Sequence, residues 1–321
     1  MLEAANLRKR YRQRQVLDGV SLRVADGEIY GFVGGNGAGK TTSMRIMLGV
    51  SQSDEGKVLL DGKPIDDRAR ATIGYMPEER GLYPKMTLVA QLTHFAVLHG
   101  VTRHSAHRAA EYWLNRLGLS DRHKSALEDL SLGNQQRVQL AAALVHEPRA
   151  LVMDEPFSGL DPQAVDVITD VLREEAARGV PVLFSSHQLD LVERMCHRIG
   201  ILRSGRIIAE GTVAELGASI GEQIVVTTPV PREVWLQGLP LLPAHPEIAH
   251  ATKARLTRGV AVEKQQGQQT RLRLFGLDSQ EVLDAIRNHG RVDGFTPWQP
   301  SLQEIYSEAM TDATAANRKE R

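Results

Sequence analysis

Two groups of residues have the types and spacing to do chemistry on a phosphate chain. The first is Gly34-Gly-Asn-Gly-Ala-Gly-Lys-Thr-Thr42, which fits the phosphate-loop template of glycine, four residues, glycine, lysine and a hydroxyl residue. Its candidate phosphate contacts are Gly34, Asn36, Gly37, Gly39, Lys40, Thr41 and Thr42. The glycines permit backbone conformations that a Cβ forbids, so the loop can aim its N–H groups at a polyphosphate. A helix starting at Lys40 adds its positive dipole end beneath the same phosphates. Lys40 is placed to bridge the β- and γ-phosphates, and the Thr41 hydroxyl to hold Mg²⁺. The second group is Asp154-Glu155, at the end of the apolar run Ala150-Leu-Val-Met. There Asp154 would hold Mg²⁺, directly or through water. Glu155 would orient and deprotonate an attacking water. The loop alone indicates a nucleoside triphosphate and does not separate an ATPase, a GTPase and a kinase.

These residues need strands that end together and helices that start there. Glu28-Ile-Tyr-Gly-Phe-Val33 reads as a buried strand entering the loop, and Thr42 to Leu48 as a helix stopped at Gly49. Val58–Leu60, Asp61-Gly62 and Lys63–Ile65 predict a hairpin. Thr72–Met76 is a strand closed by Pro77, and Pro77–Gly81 is a polar loop leaving its end, where α/β sheets bind ligands. Helical spacing covers Thr87–His99 and Ser105–Leu117, and a further helix runs from Arg137 to Val145. Ser131 and Gly133 before it suit either an ordinary cap or an anion site. Asp161-Pro162 turns into another helix. Val180–Phe184 is a buried strand followed by Ser185-Ser186-His187, where the histidine is either a neighbour of a helix cap or a γ-phosphate sensor. Gly200–Arg203 and Arg206–Ala209 form a closing hairpin. His94, His99, His104 and His107 lack a compact ligand pattern and read as surface histidines. Tyr11, taken by itself, reads as a surface or strand tyrosine.

After Gly217 the character changes. Pro and Gln become frequent over Pro229–Gln269, Thr270–Phe275 alternates like a half-buried strand, and Asp278–Glu281 is a capping box. Ser301–Met310 predicts a last short helix, and Asn317–Arg321 a frayed tail. This portion reads as a small α+β domain.

The chain has 321 residues, enough for about two domains. Its 39 basic and 39 acidic side chains cancel, which removes any electrostatic argument for a nucleic-acid partner. A single cysteine, Cys196, excludes an internal disulfide, fits a reducing compartment and reads as a small hydrophobe on a helix. The N-terminus is charged and is no signal peptide, and no run approaches the ~20 apolar residues of a membrane span. Work at a membrane would need a partner.

Leu130-Ser-Leu-Gly-Asn-Gln-Gln136, lying between the phosphate loop and the Asp-Glu strand, makes the pattern recognisable. The chain resembles the ATP-binding subunit of an ABC transporter over nearly all of residues 1–217. Gly34–Thr42 matches Walker A, with Gly35 where proline is usual. Leu130–Asn134 matches the LSGGQ signature, with Leu132 for glycine and Asn134 for glutamine. Asp154 and Glu155 match Walker B and the catalytic glutamate, Ser158–Asp161 the D-loop, His187 the switch histidine, and Tyr11 the aromatic that stacks on adenine. Glu78 stands where the family has the Q-loop glutamine. It cannot donate as an amide does, yet it can accept from a Mg²⁺-bound or attacking water. GYMPEERGLYPKMT (Gly74–Thr87) and PSLQEIYSEAM (Pro300–Met310) resemble an exporter-type branch with a C-terminal accessory domain, which includes sodium, drug and antibiotic exporters.

The resemblance implies an α/β P-loop NTPase cassette: a RecA-like core, an antiparallel β subdomain and a helical subdomain over about 77–139, followed by an accessory domain over 218–321. It implies ATP and Mg²⁺ as ligands, with Lys40, Glu155 and His187 catalytic and Thr41, Asp154 and Glu78 at the metal. Two cassettes would sandwich ATP, with Ser131 and Gly133 of one copy covering the ATP on Walker A of the other, and Asn134 and Asp161 are further nucleotide-binding candidates. A separate transmembrane permease would be the partner, and the chain would sit in the cytoplasm on the inner face of the membrane as a homodimer, without nucleic acid. A soluble ABC ATPase acting on ribosomes or DNA, and a low-turnover regulatory module motivated by Glu78 and Leu132, are the alternatives.

Overall fold

A computed structural model describes residues 1–79, 81–242 and 258–319, with side chains through Thr311. Arg80 of the expected polar loop, part of the Pro- and Gln-rich stretch, and the last two tail residues lie outside the described residues. The chain divides into two compact units, Met1–Glu210 and Gly211–Arg321, whereas the change of sequence character was placed at Gly217.

The first unit runs β1 (Leu2–Tyr11), β2 (Arg14–Val24), β3 (Ile29–Gly34), α1 (Lys40–Met47), β4 (Glu55–Leu60), β5 (Lys63–Pro64), α2 (Asp67–Arg70), β6 (Ile73–Met76), α3 (Leu88–Leu98), α4 (Arg103–Arg116), α5 (Leu132–Leu144), β7 (Ala150–Asp154), α6 (Pro162–Ala177), β8 (Val182–Ser186), α7 (Leu189–Met195), β9 (Arg198–Arg203) and β10 (Arg206–Gly211). Two sheets result, ordered β2-β1-β4-β5 and β10-β9-β3-β8-β7-β6. In the second, β9, β3, β8, β7 and β6 pair in parallel. Strands β3, β7 and β8 are buried at every position, as central parallel strands covered on both faces must be. The first sheet is antiparallel, and its turn Asp61-Gly62 has φ of 52° and 75°, the left-handed pair that a two-residue hairpin needs. One core cluster joins the two sheets, with Leu7, Leu17 and Leu22 from the antiparallel sheet, Phe32, Val152 and Leu183 from the parallel one, and Met44 and Met47 from α1.

The helical segment departs from the sequence expectation at one point. Helix α5 begins at Leu132, not Arg137, with Ser131 as its N-cap accepting from the Asn134 N–H at 3.4 Å. The first turn of a helix has unpaired N–H groups in any case, so a capping serine suffices to extend it through Gly133.

The second unit runs α8 (Val213–Ser219), β11 (Gln223–Thr227), α9 (Arg232–Trp235), β12 (Gly259–Gln266), β13 (Gln269–Phe275), α10 (Ser279–Arg287), β14 (Gly294–Pro297) and α11 (Leu302–Lys319). Its antiparallel sheet, β12-β13-β11-β14, has its own core of Ile224, Val226, Trp235, Val260, Leu272, Val282 and Ile286. The Asp278–Glu281 capping box forms at both ends. The backbone of α11 continues to Lys319, past Met310 and into the expected tail, because Ala-rich sequence favours helix. Cys196 caps α7 in an extended conformation, and burial raises its thiol pKa.

Candidate functional site

Strand β3 ends at Gly34 and the chain turns into α1 through the phosphate loop. A Cβ at Gly34 would stand 2.5 Å from the Leu202 carbonyl oxygen. At Gly39, φ is +114° and a Cβ would come within 2.7 Å of Leu17. Neither position tolerates a side chain, so the tight loop is dictated by glycine. Lys40 is nearly buried, and its Nζ donates to the Gly34 carbonyl at 2.6 Å, which holds the ammonium against the loop.

Strands β7 and β8 are neighbours, with Asp154 opposite Ser185. The Ser185 hydroxyl donates to Asp154 Oδ1 at 2.5 Å and accepts from the Glu155 N–H at 2.9 Å. Glu155 adopts φ 50°, a left-handed conformation that costs an L-residue about 1–3 kcal/mol and therefore has to be held by its surroundings. One residue past β8, His187 places Nδ1 2.8 Å from Glu155 Oε2. Ser185 is a site residue that the sequence reading passed over. A lone serine at a strand end carries no signal until its neighbouring strand is known.

These ends line a cavity of about 400 Å³. Asn36, Gly37, Gly39, Lys40, Thr41, Thr42, Glu78, Asp154 and Glu155 all line it, together with Arg14 and Val16, which the motifs did not indicate. The residues suit Mg²⁺: Asp154 Oδ2 is buried with no hydrogen-bond partner among the described residues, and Thr41 and Glu78 supply further oxygens to the same cavity. Burial, and then the Asp154 charge, raise the phenol pKa of Tyr75 on β6.

Seven candidates are not among the lining residues: Gly34, whose carbonyl holds Lys40 Nζ, His187, which reaches Glu155, and five more. Tyr11 ends β1 half-exposed, its hydroxyl 3.1 Å from Ser51 Oγ and its ring faced by Lys9 Nζ at 5.2 Å. Its hairpin partner, Arg14, lines the cavity instead. Ser131, Gly133 and Asn134 lie in the first turn of α5, and the adjacent Leu132 is 58% exposed. Asp161 caps α6 through the Ala164 N–H at 2.8 Å.

Residues 17–158 match the family described as ABC transporter. YhaQ, an uncharacterized ABC transporter ATP-binding protein of Bacillus subtilis, is 33% identical over 97% of this chain and 98% of its own length. The linearmycin resistance ATP-binding protein LnrL of Bacillus subtilis is 34% identical, covering 70% of this chain and 74% of its own. The Nod factor export ATP-binding protein I of Burkholderia pseudomallei is 38% identical over 69% of this chain and 75% of its own. A solved ATP binding subunit of an ABC transporter superposes with TM-score 0.63 at 32% identity, covering 67% of this chain and 91% of that one. The cassette cbiO1 of Clostridium perfringens, part of the transporter complex cbiONQ, gives 0.61 at 28% identity, over 67% and 89%. With a phosphate loop and a strand-end acid pair in one cavity, and a relative matched from end to end, the chain belongs to the ABC transporter ATP-binding protein family and is an ABC-type ATPase.

Proposed function

We propose that the chain powers a multi-subunit exporter by ATP-driven pairing of two cassettes coupled to a separate membrane permease. The convergence of Lys40, Thr41, Asp154 and Glu155 on one cavity carries the hydrolytic part. The phosphate loop and Lys40 bind and orient the triphosphate. Glu155 takes a proton from the water that attacks the γ-phosphorus, and the β–γ bridging oxygen leaves with ADP. With Glu155 ionised, its carboxylate only accepts, so His187 Nδ1 is the donor and the imidazole holds the carboxylate in place. Thr41, Asp154 and Glu78 are the residues that would hold Mg²⁺, which when bound neutralises charge on the β- and γ-phosphate oxygens.

Pairing is supported by what the cavity lacks. Ser131, Gly133 and Asn134 stand outside its lining at an accessible helix N-terminus, where a second copy's nucleotide could reach them. In that arrangement the γ-phosphate stabilises the closed pair and its loss reopens it. A permease is supported by exposed Tyr83, Val97 and Leu98 on and beside α3, and no described helix is long and apolar enough to cross a membrane. Export is supported by the relatives named for Nod factor export and linearmycin resistance. The chain would then work in the cytoplasm, peripheral to the membrane. Sedimentation of Glu155→Gln with and without MgATP, beside wild-type turnover, tests the pairing. An ATP-dependent dimer is expected, and a persistent monomer refutes self-pairing. Co-purification with the permease tests the coupling.

A further inference from the structure

Helix α5 carries two buried glutamines, Gln136 and Gln139, three residues apart and so on one face. Each donates its amide to the carbonyl of a proline beside a cavity residue. Gln139 Nε2 donates to Pro77 O at 2.6 Å, and Pro77 precedes Glu78. Gln136 Nε2 donates to Pro156 O at 3.2 Å, and Pro156 follows Glu155. The same helix begins at Ser131.

The chemistry of these contacts is specific. A peptide group is planar, so fixing the Pro77 carbonyl fixes the plane that contains the Glu78 N–H. Pro156 has its φ locked by its ring, so gripping its carbonyl leaves few soft torsions between the grip and Glu155. Glu155 sits at φ 50°, with its N–H on Ser185. It is therefore held from both sides, by β8 through Ser185 and by α5 through Gln136. A 13-residue helix is ~20 Å long and moves as a rod. A displacement at Ser131 therefore reaches both carbonyls.

We propose that Gln136 and Gln139 are positioning residues that tie the placement of Glu155 and Glu78 in one copy to the engagement of that copy's Ser131 with the nucleotide of the other. Each half-site then reports its occupancy to the hydrolytic residues of its partner. This inference rests on the paired-cassette reading.

The test uses full-length Gln139→Met and Gln136→Met, near-isosteric changes that delete the donor. MgATP affinity of the isolated chain, ATP-dependent dimerisation in a Glu155→Gln background, steady-state kcat and KM, the Hill coefficient in ATP, and melting temperature are measured together. Unchanged affinity and dimerisation are expected, with kcat lowered about tenfold and the Hill coefficient falling from about 2 toward 1. A lowered melting temperature with kcat and Hill coefficient intact would show that the amides only satisfy buried carbonyls, and would overturn the proposal. If one variant fails to fold, the other reads the same coupling at its own carbonyl. A Glu155→Gln chain that stays monomeric in MgATP refutes the pairing itself, and this inference with it, which is a distinct result from intact pairing with unaltered turnover.

Discussion

His187 Nδ1 and Glu155 Oε2 lie 2.8 Å apart across the ends of two adjacent strands, yet the histidine side chain is 64% exposed and the glutamate side chain 11%. The buried carboxylate is thus held at the solvent side by an imidazole N–H, which fixes its orientation toward the attacking water. Glu155→Gln is expected to lower kcat about 10²–10⁴-fold with ATP binding retained. His187→Ala should cost less, and the double variant no more than Glu155→Gln alone, because the pair acts as a unit. Single-turnover hydrolysis of the three proteins checks this, and additive losses would contradict it.

Asp154 keeps Oδ1 on Ser185 and leaves Oδ2 for the cavity. Replacing Asp154 with Asn should raise the Mg²⁺ concentration for half-maximal turnover about 10–100-fold, while nucleotide binding in chelator changes little. A Mg²⁺ titration of turnover decides it. An unchanged midpoint would remove Asp154 from the metal.

Arg14 is the second cation of the cavity beside Lys40, against three carboxylates, and a Cβ at Gly37 would stand 3.5 Å from its Nη2. Arg14→Gln is expected to raise KM for MgATP about threefold with kcat unaltered, and the difference should shrink in high salt. Steady-state kinetics at two ionic strengths test the assignment.

His146 stacks on His99 with ring centroids 3.8 Å apart. Burial, and then the His99 charge, lower its pKa from 6.5 to about 4. The unfolded chain therefore binds more protons between those values, so stability is full above about pH 6.5 and falls as pH drops toward 4, by about 3 kcal/mol at most. Replacing His146 with Gln should flatten that part of the stability curve. Melting temperatures of both proteins between pH 7 and 5 test it, and parallel curves would refute it.

The parallel core and the phosphate loop were legible because continuous apolar runs, glycines and strand-end acids are local signals. Gly34–Thr42, Asp154 and Glu155 needed no tertiary information to be placed in order along the sheet. Contacts between distant strands were not legible. Ser185 bridges Asp154 and Glu155 only because β8 lies beside β7, and no spacing along the chain records that. Gln136, in the stretch before the expected helix, and Gln139 within it carry no signal until their carbonyl partners are seen. The start of α5 was missed because Gly133 and Asn134 are poor helix formers, and a cap outweighs propensity in the first turn. Tyr11 fits its motif by position, but its ring faces Lys9 and does not line the cavity.

Every residue lining the cavity comes from the first unit, and the second has its own core, which includes Trp235, Leu272 and Ile286. Substitutions in the two units therefore meet different demands: phosphate chemistry acts on the cavity residues of the first, while the core of the second keeps its sheet packed. Such a module can change in sequence without touching any residue that lines the cavity. YhaQ matches this chain through both units, whereas LnrL covers 70% of it. Lineages of this family would then be told apart by the module that contributes no residue to this cavity.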